Sequence, residues 1–64
     1  MRYREIRKIL HNAGWYEVRQ SGSHHQYSRT GIGYVVPVPE HGGRDIAIDV
    51  IQNIRKGTGL SLRR

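Results

Sequence analysis

The sequence predicts a small α+β domain of order α-β-β-β-α, a three-stranded antiparallel sheet with two helices on one face. Three observations carry that expectation. Apolar residues recur at helical spacing near both ends, short strand-forming runs separated by glycines fill the middle, and 64 residues suffice for one domain spanning 1–64.

From Tyr3 to Ala13 the apolar positions Ile6, Ile9, Leu10 and Ala13 fall at i, i+3, i+4 and i+7, with Arg4, Arg7, Lys8 and His11 between them. That is one amphipathic helix, closed by Gly14, with His11 suited to its negative end. Trp15–Gln20 is aromatic and β-branched with charge at alternate positions, and Ser21-Gly22-Ser23 turns it into a second strand, His24–Ser28. After Arg29–Gly33, a third strand is expected over Tyr34–Val36, ending at Pro37 and Pro39. The strand period places His25 and Tyr27 on one face and His24, Gln26 and Ser28 on the other. Tyr27 is the larger apolar body, so its face belongs to the core and His24 faces outward. Beyond the loop Glu40–Arg44, Ile48, Ile51 and Ile54 predict a second helix to about Lys56, stopped by Gly57. Leu60 and Leu62 would fold back as a last apolar patch, Arg63-Arg64 would be a frayed basic end, and most of the aromatic residues would be buried.

Eleven Lys and Arg against five Asp and Glu leave a formal charge of +6, so a polyanion is the expected partner. Only Lys8 and Lys56 are lysines. Arginine supplies the rest, and its planar fork binds phosphate at two points. The absence of cysteine excludes disulfides, thiolate zinc sites and a cysteine nucleophile, and it fits a cytoplasmic protein. No apolar run approaches the ~20 residues that cross a bilayer, and Met1–Glu5 lacks the apolar stretch of a secretory signal. No membrane partner is expected.

The sharpest local feature is Gly22-Ser23-His24-His25, where a tight turn delivers an imidazole at the first position of a strand. Histidine moves protons near neutral pH, and RNA carries its own nucleophile, the 2′-hydroxyl beside each phosphate. A base and a few cations would therefore suffice for cleavage, with neither metal nor cofactor. The tetrapeptide alone fits equally a partly exposed polar pair. Adjacent histidines project to opposite faces of a strand, so a metal site would need His41 or His11 to converge with one of them, and none is expected. Gly42-Gly43-Arg44 reads as a turn or as a nest of backbone N–H groups for phosphate. Arg4, Arg7, Arg19, Arg29 and Arg44 read as a dispersed basic surface or as a stripe along which nucleic acid could lie.

Taken together, Gly14-Trp15, Gly22-Ser23-His24-His25, Val38-Pro39-Glu40-His41 and the ending Ile51–Leu60 with its Gly59-Leu60 pair resemble the HicA family of toxins from bacterial toxin–antitoxin pairs. The resemblance spans nearly the whole chain. It implies a double-stranded-RNA-binding-domain-like fold and a ribosome-independent mRNA endoribonuclease, held in a hetero-oligomer by a HicB-type antitoxin. It assigns the catalytic role to His24, supported by the turn residues Gly22 and Ser23. His25 and His41 are secondary candidates. Arg19, Arg29, Arg44 and Lys56 are the cations available for RNA, with Arg19 and Lys56 foremost for the reacting phosphate. Two positions depart from the family pattern: Ile48-Asp49 stands where a Pro-Gly or similar pair often starts the last helix, and Gly57 replaces a better helix former. Glycine costs ~1 kcal/mol in a helix interior, so an early end to that helix is expected. The alternative reading is a non-catalytic RNA-binding module of the same fold, which would span ~16 base pairs and use lysines at the start of its last helix. Asp49 occupies that place.

Overall fold

The structure is a computed structural model that describes residues 1–62; the basic end anticipated at Arg63-Arg64 lies outside the described residues. The element order is α1 (Tyr3–Asn12), β1 (Tyr16–Ser21), β2 (His24–Ser28), β3 (Val36–Pro39) and α2 (Ile48–Thr58). The strands form one antiparallel sheet in the order β1-β2-β3.

Helix α1 begins where the Glu5 carboxylate accepts the Arg2 backbone N–H at 2.9 Å, satisfying a donor that no helical carbonyl can reach. It ends at Gly14, whose φ of 88° is the left-handed conformation expected of a closing glycine. Tyr3, Ile6 and Leu10 bury one face of α1 against Tyr27, Val36 and Val38 of the sheet, and Ile51 and Ile54 of α2 enter the same core. Trp15, Ile46 and Leu62 complete it, and Leu60 packs on its margin. Both helices therefore cover the face of β2 that carries Tyr27.

Three expectations need correction. Residues 34 and 35 are not strand: the pairing of β3 with β2 runs from His24↔Pro39 to Tyr27↔Val36 and stops there. Tyr34 and Val35 instead cross the surface, where the Tyr34 carbonyl accepts from Ser28 Oγ and the Tyr34 hydroxyl donates to the Gly57 carbonyl at 2.7 Å. The prolines fall inside β3, which accepts them because it lies at the edge of the sheet. Glu40 N–H donates to the Ser23 carbonyl at 2.7 Å, so by strand alternation Val38 and Val36 also turn their N–H groups toward β2. Pro37 and Pro39 then point their nitrogens to the free edge.

Gly57 does not stop α2. The helix runs through it to Thr58 and closes at Gly59, whose φ is 73° and whose N–H bonds the Arg55 carbonyl. Gly57 answers a packing need, since a Cβ there would sit 2.9 Å from Val36 Cγ2. Its absence lets α2 lie directly on β3. Among the aromatics, Tyr3, Trp15 and Tyr27 are buried, but Tyr16 and Tyr34 are exposed.

Candidate functional site

The β1–β2 hairpin is closed by the pair Ser21↔His24, leaving Gly22 and Ser23 as a two-residue turn. Gly22 has φ +60°, the conformation that the first central residue of a tight hairpin of this kind requires. The turn places His24 at the first position of β2, and period-2 geometry then separates the two histidines. His24 is exposed, and among the described residues neither of its ring nitrogens takes part in a hydrogen bond.

His25 is 8% exposed and faces the core. Its Nδ1 meets Glu17 of β1, and its Nε2 lies 2.7 Å from Glu40 Oε1, just beyond β3. The ring stacks on Tyr3 with centroids 4.5 Å apart, and the Tyr3 hydroxyl pairs with that of Tyr27 at 2.7 Å. Burial opposes a charge on His25, but the hydrogen bonds to Glu17 and Glu40 and the attraction of the two carboxylates outweigh it and raise its pKa. His25 is thus a clamp that ties β2 to β1 and to the segment leaving β3. With both nitrogens occupied it has no face to offer a substrate. Burial, first, and the bond to Tyr27 likewise hold the Tyr3 phenol far above its usual range.

At the β3 edge of the sheet His24 lines a cleft of about 190 Å³, whose other walls are Val36, Pro37 and Pro39 of β3 and Val50, Asn53 and Ile54 of α2. The cleft lies where α2 packs against β3. A neighbouring hollow shares Pro39 and Val50 with it and adds His41, Arg44 and Asp45. The loop that carries these residues is tied to the chain start: Ile46 N–H donates to the Met1 carbonyl at 2.7 Å, and Arg2 bridges to Asp45.

The candidate cations divide. In β1, Arg19 pairs with Gln26, and Gln26 shares a strand face with His24. That register puts Arg19 diagonal to His24, within reach of a long side chain. Arg44 borders the adjoining hollow. Arg29 lies beyond the opposite end of β2, with its Nε 3.5 Å from where a Gly14 Cβ would be, and is not brought to His24. Lys56 lines a separate hollow with Gln52, Arg55 and Leu60. Among the described residues, no three His, Asp or Glu side chains converge where they could hold a metal ion.

Asn53 is the residue that sequence reasoning missed. No local signal marks it, because it joins His24 only through the contact of α2 with β3. Glu17 and Glu40 were also missed, although an inward-facing histidine has to find polar partners and so points to them.

Comparison with curated proteins and with solved structures finds no match. The family described as HicA toxin of bacterial toxin-antitoxin matches residues 3–60, which takes in both helices, the whole sheet and every residue of the cleft. With its α-β-β-β-α order and a match over nearly its entire length, the chain belongs to the HicA toxin family of bacterial toxin–antitoxin systems.

Proposed function

We propose that this toxin is a ribosome-independent, metal-independent endoribonuclease that cleaves mRNA in the cytoplasm, with His24 as its general base. The observation that carries the reading is the contrast at the β2 start: an exposed imidazole with both nitrogens available, in the wall of a cleft on a protein of charge +6. In the reaction His24 takes the proton of a ribose 2′-hydroxyl, and the freed oxygen attacks the adjacent phosphorus. The bond from phosphorus to the 5′-oxygen breaks, leaving a 2′,3′-cyclic phosphate on one fragment. The departing 5′-oxygen takes a proton from water to become a hydroxyl.

Arg19, diagonal to His24, and Arg44, beside the adjoining hollow, hold the phosphate and its developing charge. Gly22 and Ser23 set the position of His24. His41 contributes to binding from the wall that it shares with Arg44. Arg29 and Lys56 contact RNA farther along the chain.

The test is cleavage of a long unstructured RNA by the purified protein in EDTA, with His24→Ala beside the wild type and RNA binding followed for both. Cleavage lost in the variant while binding and folding persist supports the reading. A wild type that binds RNA without cleaving it would identify an RNA-binding module instead.

The family implies an antitoxin partner. We assign that role to a HicB-type protein whose acidic surface covers the His24 cleft in a hetero-oligomer. An equimolar amount should then abolish cleavage, and cleavage persisting within a stable complex would refute occlusion.

A further inference from the structure

The cleft beside His24 has a chemical character that proton transfer does not need. Pro37 and Pro39 form one apolar wall, and Val50 and Ile54 form the other. The α2 wall also carries the one amide of the cleft, Asn53, exposed on the helix that carries residues 50 and 54. A cleft of about 190 Å³ with such walls suits a planar heterocycle and excludes a paired helix.

We propose that this cleft takes up one unstacked nucleobase of single-stranded RNA and that Asn53 reads its edge, making Asn53 a specificity-determining residue. The proposal rests on the ribonuclease reading above and adds the substrate class, single-stranded RNA with a preferred base beside the cut. Bases splayed out of single strands are held by packing on their faces and by hydrogen bonds to their edges. The proline rings and the aliphatic side chains supply the first, and Asn53 supplies the second. A side-chain amide presents an acceptor oxygen beside two N–H donors, so it can form two bonds at once to a base edge that offers a donor next to an acceptor. Phosphate offers acceptors alone, and ribose hydroxyls, which can do both, are the same in every nucleotide and cannot rank the bases. Because His24 shares the same walls, a base held there places its own backbone at the imidazole, so recognition and chemistry meet within one nucleotide.

The experiment titrates the full-length wild-type protein with each of the four nucleoside 3′-monophosphates and with ribose 5-phosphate, following the Asn53 side-chain amide and the Val50 and Ile54 methyl groups by NMR. The proposal expects saturable shifts of these groups with nucleotides, affinities that rank by base, and no such shifts with ribose 5-phosphate. In Asn53→Ala the ranking should flatten, with roughly tenfold weaker binding of the favoured base and an unchanged melting temperature. Asn53→Asp, which keeps acceptors and loses donors, should change the order of the ranking. Equal shifts with ribose 5-phosphate, no ranking by base, or a ranking that survives Asn53→Ala would each overturn it. No bond is cut in this titration, so base binding without RNA cleavage would sink the role of His24 and keep that of Asn53. Cleavage without base binding would do the reverse.

Discussion

His24 and His25 are neighbours in sequence and opposites in environment. The first stands in an open cleft with its nitrogens available, and the second is sealed under Tyr3 between two carboxylates. One residue type thus serves two purposes because a strand sends successive side chains to opposite faces. The inner histidine ties together the frame that presents the outer one: its partners Glu17 and Glu40 belong to β1 and to the segment leaving β3, so it joins both neighbours of the strand that His24 begins.

The sharpest way to test that division is to remove each ring in turn. His24→Ala should slow RNA cleavage by about 10²–10⁴-fold, the usual contribution of a general base, with little change in melting temperature. His25→Gln should do the opposite. Breaking a buried ion pair costs about 3–5 kcal/mol. Glu17 and Glu40 are 38% and 46% exposed, so solvent screening reduces the expected loss to about 2 kcal/mol. In a chain this small that lowers the melting temperature by roughly 10 °C, measurable by circular dichroism, while the folded fraction still cleaves RNA. A folded His25→Gln protein as inactive as His24→Ala would erase the distinction between the two.

A smaller effect is expected at Gly57, which holds the outer region to the inner one. A methyl group there meets the stiff, buried Val36, an overpacking cost of about 1–3 kcal/mol, offset by the ~1 kcal/mol that alanine gains in a helix. Gly57→Ala should therefore lose about 1 kcal/mol in urea denaturation and slow cleavage, because Val36 is also a wall of the His24 cleft. Adding Val36→Ala should restore part of the activity.

The smallest effect is one of pH. A histidine whose folded pKa is raised binds its proton more tightly in the folded state, so its stabilisation is complete below the unfolded value of about 6.5 and fades as pH rises through the folded pKa. The urea midpoint of the wild type should fall over that window. The corresponding slope should vanish in His25→Gln.

Much of this contrast was legible in the sequence. The helical spacing of Ile6, Ile9 and Leu10, the turn at Gly22-Ser23 and the two-residue period of β2 were enough to send Tyr27 inward and His24 outward. What was not legible depends on neighbours distant along the chain. Proline reads as the end of a strand until the sheet order shows that β3 is an edge, and Gly57 reads as a helix stop until Val36 is seen beneath it. Asn53 is an unremarkable polar residue on a helix until α2 is laid against the prolines. Arg19 and Arg29 look alike in sequence, and the strand register alone brings one toward His24 and leaves the other at the far end.

The prolines of β3 have a consequence for self-association. A strand edge with unpaired N–H groups is a template on which another copy can add, the first step toward fibrils. Pro37 and Pro39 remove the donors from that edge, so the sheet can grow only from β1, where the bulge between Glu17 and Arg19 and the arginine itself break the regular ladder. Both margins are thus poor seeds for intermolecular pairing, which allows a thin-cored chain to be concentrated without polymerising through its sheet.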